Sequence, residues 1–189
     1  KTGIKIDRQF LIGLSTDYGF RLASIESEVF GLVGHEFNLN STKQLQEVLF
    51  TELAIKPIKK NKTGFSTDAD VLEELAKQHE VPRLLIRHRK FQKLKSTYID
   101  ALPLWADNED RVHTSFNQAI TATGRLSSSE PNLQNIPIRS DEGRELRKAF
   151  VASSEKHVLI SGDYSQIELR VLAHVANEKV LIEAFNEGE

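Results

Sequence analysis

The stretch from residue 160 to residue 170 reads Ile160-Ser161-Gly162-Asp163-Tyr164-Ser165-Gln166-Ile167-Glu168-Leu169-Arg170. The apolar residues around its start predict a strand over residues 157–162, and the periodicity after it predicts a helix over residues 166–176. Asp163 would then lie at the carboxyl end of a strand and beside a helix N-terminus, where oxygen ligands suit Mg²⁺ and free amides attract phosphate. Glu168 follows about one helical turn later and could face the same pocket. The spacing alone leaves open the alternative that Asp163 only caps the helix.

A second unusual stretch lies upstream, where residues 121–139 are rich in Ser, Asn and Pro and show little periodicity. Long irregular segments inside a compact domain are usually functional. Four side chains in this stretch could donate hydrogen bonds to phosphates, sugars or minor-groove acceptors: Arg125, Asn132, Gln134 and Asn135. The alternative is a polar loop whose Asn and Ser side chains only satisfy their own backbone.

The apolar periodicity of the first half predicts four helices, each with its own start signal. These signals are Asp7 as an N-cap, Ser41 with Gln44 as a capping box, Thr67 with Asp70 as a cap, and Pro82 in a first helical turn. The first helix would end at Gly34, the second near Leu53 and the third near Lys77.

The pattern changes after Trp105. Within residues 111–117, Val112, Thr114 and Phe116 alternate with polar neighbours, which is typical of a half-buried strand. A short helix over residues 142–150 follows the irregular stretch. The sequence therefore predicts an α+β fold, with a mostly helical first part and the beginning of a part that contains strands.

The composition excludes several classes of protein. The 189 residues are 39% hydrophobic and 28% charged, so the chain can bury a core. The absence of cysteine excludes a disulfide framework, a thiolate nucleophile and Cys-ligated metal sites. No apolar run approaches the roughly 18 residues of a membrane span, so we expect a soluble, cytoplasmic protein. Phosphate-loop, dinucleotide-binding, zinc-peptidase and nucleophile-elbow motifs are missing as well.

The net charge of −2 averages over an uneven distribution. Residues 81–99 contain no acidic residue and six basic ones, here called the basic stripe: Arg83, Arg87, Arg89, Lys90, Lys93 and Lys95. A second basic cluster comprises Lys56, Lys59, Lys60 and Lys62, whereas residues 163–189 carry six acidic residues against Arg170 and Lys179. This pattern suits a protein that holds a polyanion in one place and uses metal-assisted chemistry in another. Ordinary solvated helix faces are the alternative.

Together, five segments resemble the family A DNA polymerases, the bacterial DNA polymerase I type. They are residues 37–41, 93–98, 121–128, 131–137 and 163–170, and the last resembles motif A of that family. The resemblance runs along essentially the whole chain. It implies a helical thumb over residues 1–105, followed by a partial palm with antiparallel strands over residues 106–189.

The resemblance also implies which residues contact DNA. The thumb would clasp duplex DNA along its minor groove, with Lys93 near the primer–template. Arg125 would contact the minor-groove edge at the primer terminus. The other implied duplex contacts are Asn38, Asn40, Ser41, Lys59, Lys62, Asn132, Gln134, Asn135 and Arg139.

In motif A, the resemblance makes Asp163 a catalytic residue and one of two aspartates that bind two Mg²⁺ ions, with the Tyr164 carbonyl beside it. Three residues would meet the incoming triphosphate through their backbone: Ser165, Gln166 and Ile167. Glu168 would crowd the sugar 2′ position and exclude ribonucleotides. The implied partners are primer–template duplex DNA and deoxynucleoside triphosphates, and we expect a monomer with no membrane partner.

We further expect the chain to be part of a longer DNA-directed DNA polymerase of replication and repair. The fingers helix and the second catalytic aspartate of the family would lie downstream of Glu189. The chain alone would then bind duplex DNA without catalysing synthesis. Two alternatives remain open, a duplex-binding module with a vestigial motif A and a Mg²⁺-dependent phosphohydrolase that uses Asp163 and Glu168.

Overall fold

The computed structural model describes residues 2–61 and 64–187. The chain forms two compact units, Lys1–Ser153 and Ser154–Glu189. The helices described in the first unit are α1 (Arg8–Val33), α2 (Thr42–Gln46), α3 (Ala69–Leu75), α4 (Glu80–Leu94), α5 (Leu102–Trp105) and α6 (Asp141–Arg147). Two of them continue as π-helical turns, α2 into Glu47–Glu52 and α4 into Lys95–Ile99. The second unit contains α7 (Ile167–Ala176) and α8 (Lys179–Glu187).

The long first helix confirms the sequence prediction at both ends. The Asp7 carboxylate accepts a hydrogen bond from the Phe10 backbone N–H at 2.8 Å. At the other end Gly34 adopts a left-handed conformation with φ of 91°, and its N–H donates to Phe30 O at 2.7 Å. A left-handed residue costs least when it is glycine, so the helix ends where the sequence places Gly34.

The core of the first unit lies between α1 and α4. One face of α1 is buried at three- and four-residue steps, through Leu11, Leu14, Tyr18, Leu22, Ile25 and Val29. The Tyr18 ring meets Phe91 of α4 edge to face, with centroids 5.4 Å apart. Edge-to-face pairs of this kind add packing energy beyond the area they bury. Phe91 therefore belongs to the side of α4 that packs on α1.

Two of the helix start signals differ in detail from the prediction, and Pro82 lies in a first helical turn as predicted. Ser41 does accept from Gln44 N, but the Gln44 side chain accepts from Asn38 N at 2.6 Å and so does not complete a capping box. The N-cap of α3 is Asp68, one residue after Thr67. The N-cap of α4 is His79, whose ring Nδ1 accepts from Val81 N, and Pro82 follows in the first turn.

Seven short strands form antiparallel pairs in the described part of the first unit. They are β1 (Ile4–Ile6), β2 (Lys60–Asn61), β3 (Gly64–Phe65), β4 (Arg111–Val112), β5 (Ser115–Asn117), β6 (Ser127–Ser129) and β7 (Phe150–Val151). One sheet has the order β4-β1-β7, with Lys5 opposite both Arg111 and Val151. The other pairs are β2 with β3 and β5 with β6. The mixed helical and antiparallel architecture confirms the predicted α+β class.

The single strand predicted over residues 111–117 is wrong, because this stretch divides between two sheets. β4 pairs with β1, whereas β5 pairs with β6. Between them Thr114 leaves the ladder, and its hydroxyl donates to Ser129 O at 3.1 Å and to Pro131 O at 2.7 Å. The alternation placed Phe116 on the buried side of the predicted strand, but its side chain is 59% exposed.

The second unit contains the predicted helix but not the predicted strand. α7 begins at Ile167 and ends at Ala176, close to the expected bounds. Residues 157–162 are not in a strand, and their apolar side chains are exposed, with Ile160 at 88%. A strand forms only where a second strand accepts its hydrogen bonds, and none of the described residues pairs with this stretch.

None of the described helices is at once long enough and apolar enough to cross a membrane.

Candidate nucleic-acid interface

A cleft of about 690 Å³ lies in the first unit, between α4 with its π-helical turn and the loop that leads to α6. It is called here the α4–loop cleft. Its lining residues come from two segments separated by more than thirty positions: Lys90, Lys93, Leu94, Thr97 and Tyr98 on the helix, and Pro131, Asn132, Asn135, Pro137 and Ser140 on the loop. Cationic and amide side chains therefore face one another across this cleft.

On the helical side, the spacing of the sequence places three polar residues together. Lys90, Lys93 and Thr97 follow one another at steps of three and four, which puts them on one face of a helix. Tyr98, which also lines the cleft, is 5% exposed, and this burial raises the pKa of its hydroxyl above the ordinary value. The helical side of the cleft therefore combines a buried, neutral phenol with the cations Lys90 and Lys93.

On the loop side, side-chain hydrogen bonds fix the backbone. The Ser128 hydroxyl accepts from Leu133 N at 3.1 Å, and the Asn132 side-chain oxygen accepts from Gln134 N at 3.0 Å. The Ser140 hydroxyl then caps α6 by accepting from Gly143 N at 3.2 Å. These contacts hold the amide-bearing loop in one conformation, so its donors are preorganised for a ligand.

An ion pair joins the two sides of the cleft. Lys90 Nζ lies 2.6 Å from Glu142 Oε2 of α6, and the Glu142 side chain is only 19% exposed. Burial is the largest single effect and acts to raise the pKa of Glu142, but the hydrogen bonds from Lys90, Ser140 and the backbone together with the charge of Lys90 outweigh it, so the pKa lies below its ordinary value. Glu142 is thus held as the anion, and Lys90 keeps a protein partner.

Most of the basic stripe has partners within the protein. Arg83 pairs with Glu80 at 2.8 Å, Arg89 donates to Thr67 O, Lys90 pairs with Glu142, and Lys95 pairs with Asp100 at 2.8 Å. Four of the six cations therefore serve the fold, and the stripe offers fewer phosphate contacts than its sequence indicated. Lys93 is exposed and faces the cleft.

The predicted contacts before α2 form a separate polar turn. Asn38 N donates to Gln44 Oε1, and Asn40 N donates to the Asn38 side-chain oxygen at 2.9 Å. Ser41 caps α2. The side-chain oxygens of Asn38 and Ser41 are therefore already used in local hydrogen bonds, while Asn38 also lines a pocket of about 640 Å³.

The lysine-rich loop is described only in part. Lys59 is exposed and lies 4.0 Å from the Asp68 carboxylate, whose pKa is lowered chiefly by a hydrogen bond from Ser66. Lys60 Nζ lies 5.9 Å from the centroid of the Phe65 ring. Lys62, a predicted DNA contact, lies outside the described residues.

Arg125 and Arg139 are both exposed on the irregular segment. Gly124 precedes Arg125 with φ of 73°, a left-handed conformation that favours glycine. The Thr121 hydroxyl donates to Arg125 O and closes the turn. Neither arginine lines the α4–loop cleft.

In the second unit, the residues that resemble motif A are all exposed, from Asp163 to Arg170. Asp163 is not the cap of α7, because the N-cap is Gln166, in a left-handed conformation with φ of 51° and no side-chain cap. Arg170 Nε donates to Ser165 O at 2.9 Å, and its guanidinium lies 4.5 Å from the centroid of the Phe185 ring. The turn before α7 is therefore held by the helix that follows it.

A two-metal site needs several oxygen ligands close together around each ion. Within residues 2–61 and 64–187, no group of three or more His, Asp or Glu side chains is arranged to hold a metal ion. Asp163 supplies a single exposed carboxylate, whereas Mg²⁺ needs several oxygen ligands. The described part of the chain does not by itself fit a two-metal site.

The structure thus brings together three of the predicted residues, Lys93, Asn132 and Asn135, in one cleft. Gln134 lies beside them in the loop and is exposed. Lys90 and Thr97 were not among the residues predicted to contact DNA. Their spacing from Lys93, three and four positions in a helix, places them on the same face and could have indicated both.

The fold and the cleft define the class of protein. The family model for DNA polymerase family A matches residues 8–189, and the chain belongs to this family.

Individual relatives are similar over nearly all of this chain. DNA polymerase I of Geobacillus stearothermophilus is 51% identical over 188 residues, which are 99% of this chain and 22% of that relative. The thermostable DNA polymerase I of Thermus aquaticus is 52% identical over 190 residues, 99% of this chain and 23% of the relative. The chain therefore spans less than a quarter of the length of these curated relatives.

A solved structure has the same fold. The POL domain of Pol1 from M. smegmatis, in complex with DNA primer-template and dNTP, superposes with a TM-score of 0.87 at 44% identity. The match covers 99% of this chain and 33% of that one.

Proposed function

We propose that this chain is the thumb (residues 1–105) and partial palm (residues 106–189) of a DNA-directed DNA polymerase, and that the α4–loop cleft binds the primer–template duplex. The main support for duplex binding at this cleft is that Lys93, Asn132 and Asn135 all line it although they come from distant segments of the chain. Ammonium and amide donors are the groups that contact phosphates, sugars and minor-groove acceptors without selecting a sequence. The M. smegmatis relative, which holds primer-template and dNTP, supports the same partners.

The other predicted contacts extend this proposal along the chain. Arg125 would contact the primer terminus, and Arg139 and Gln134 would continue the loop's contact with the duplex. The turn of Asn38, Asn40 and Ser41 and the loop of Lys59 and Lys62 would contact the DNA backbone at a distance from the reaction.

Motif A would serve the nucleotide. We infer that Glu168 excludes the ribose 2′-hydroxyl and that the backbone of Ser165, Gln166 and Ile167 meets the triphosphate. The whole protein would use two Mg²⁺ ions, for which Asp163 and the Tyr164 carbonyl are the ligands in this chain. Since no group of three or more His, Asp or Glu side chains among the described residues is arranged to hold a metal ion, we propose that the chain alone binds duplex DNA and does not synthesise it. We also propose a cytoplasmic monomer.

The binding part is tested by titrating labelled duplexes of several sequences with the chain at several salt concentrations. We expect weak binding without sequence preference. Lys93→Ala should reduce the slope of log K against log salt by about 0.9, the contribution of one neutralised phosphate. Lys77→Ala is the matched control, because Lys77 follows α3, does not line the α4–loop cleft and lies 2.5 Å from Glu74. Salt-independent binding, or equal slopes for both variants, would contradict the proposal.

The catalytic part is tested in the polymerase that contains this chain. Asp163→Ala removes a proposed metal ligand, so it should reduce nucleotide incorporation by about a thousandfold or more. Duplex binding should be retained. Glu168→Ala should reduce deoxynucleotide incorporation less and allow ribonucleotides, because the discrimination is steric. If Glu168→Ala excludes ribonucleotides as strictly as the unchanged enzyme, Glu168 does not act on the sugar.

A further inference from the structure

The π-helical turn after α4 aligns two charged residues that an α-helix would separate. Lys95 and Asp100 are five positions apart, which in an α-helix places them roughly 140° apart around the axis. Here the Asp100 N–H donates to Lys95 O at 2.9 Å, the bond that defines a π turn. The wider turn brings the two side chains onto the same face of the helix.

A third residue, from α1, completes this contact. Lys95 Nζ donates to both Asp100 carboxylate oxygens at 2.9 and 2.8 Å and to Ser15 Oγ at 2.8 Å. The Ser15 hydroxyl in turn donates to Asp100 Oδ1 at 2.7 Å. Lys95, Asp100 and Ser15 are called here the π-turn cluster. The Lys95 side chain is 21% exposed, so its ammonium is committed to these partners.

The same turn forms part of the wall of the α4–loop cleft. Lys93, Leu94, Thr97 and Tyr98 line the cleft, and they lie within or next to the segment that the π-turn cluster fixes to α1. A return to α-helical winding would rotate the residues after Lys95 about the helix axis and change which of them face the cleft.

We propose that the π-turn cluster positions the duplex-binding wall, so that Asp100, an acidic residue, promotes binding of a polyanion. This inference rests on the proposed function of the cleft. Lys95 is then a positioning residue and not a phosphate ligand, in contrast to Lys93. If only the charge of Asp100 mattered, removal of its carboxylate would tighten DNA binding. If the carboxylate positions the wall of the cleft, its removal weakens DNA binding.

The test is the duplex affinity of Asp100→Asn, measured by fluorescence anisotropy at several salt concentrations. We expect binding about fivefold weaker, the size of effect that a well-formed ion pair supports, with the salt slope unchanged because no phosphate contact is lost. Ser15→Ala, which keeps the ion pair, should weaken binding in the same direction by less. Glu80→Gln is the matched control, since it removes an acidic partner of the basic stripe outside the cluster, and it should bind equally or more tightly.

Amide hydrogen exchange provides an independent readout in the same variants. The Asp100 amide and its neighbours in the π turn should exchange faster in Asp100→Asn and at the original rate in Glu80→Gln. The positioning role is overturned if Asp100→Asn binds duplex at least as tightly as the unchanged chain, or if exchange in the turn is unaltered. If the unchanged chain binds no duplex, the proposed function fails and the positioning role fails with it, a result distinct from failure of the variant alone.

Discussion

Gly143 in α6 offers a test of the packing that supports the cleft. Glycine inside a helix is ordinarily worse than alanine by about 1 kcal/mol, so Gly→Ala in a helix usually stabilises. At Gly143, however, an added Cβ would overlap Pro137 O and would lie 2.7 Å from Pro137 Cβ and 2.8 Å from Pro137 C. Two of these three atoms belong to the backbone, so the loop itself would have to move.

We therefore expect Gly143→Ala to destabilise the protein. Overpacking of this kind costs about 1–3 kcal/mol, against a gain of about 1 kcal/mol in helix propensity, so the net change is a loss of up to about 2 kcal/mol. Because Pro137 lines the α4–loop cleft, the displaced loop should also weaken duplex binding. Gly13→Ala in α1 is the matched control, since nothing lies within 4 Å of its added Cβ, and it should stabilise by about 0.5–1 kcal/mol.

Urea denaturation followed by circular dichroism measures both variants, with equal m-values required for a comparison of free energies of unfolding. If Gly143→Ala stabilises the protein as much as Gly13→Ala does, the loop does not pack against α6 as closely as the structure shows, and the reasoning is refuted. If it destabilises without changing duplex affinity, the link between α6 and the cleft is refuted.

Three further outcomes follow from single residues. Leu85→Ala should lower the free energy of unfolding by about 2–5 kcal/mol in denaturant titration, because the side chain is fully buried. The pKa of Asp107 is lowered from 3.8 to about 2, chiefly by a hydrogen bond from His113. The stability that Asp107 contributes is therefore fully present above its unfolded pKa and is lost as the pH falls through about 2. The difference in unfolding free energy between the unchanged chain and Asp107→Asn should therefore shrink as the pH is lowered through this window. In single-nucleotide incorporation by the whole polymerase, Arg125→Ala should slow the chemical step by orders of magnitude, whereas Lys93→Ala should mainly weaken duplex binding. If both variants only weaken duplex binding, and by the same factor, Arg125 does not contact the primer terminus.

The sequence by itself determined the helical framework, because the signals for a helix are local. The apolar spacing of α1, its cap at Asp7 and its end at Gly34 all lie within the segment that they define. The family resemblance was equally a property of the sequence, since motif A and its companion segments are contiguous runs of residues. Lys93, Asn132 and Asn135 could therefore be selected before any fold was known.

The tertiary structure decided where strands form and which side chains meet. Residues 157–162 have the composition of a strand, but a strand depends on a partner edge that the local sequence does not specify. Residues 111–117 divide between two sheets for the same reason. In the sequence, the six cations of the basic stripe are equivalent. In the structure, Lys90 pairs with Glu142 and Lys95 with Asp100, while Lys93 faces the cleft. Charge is a property of a residue, whereas its partner depends on the distance between segments far apart in the chain, and that distance exists only in the folded molecule.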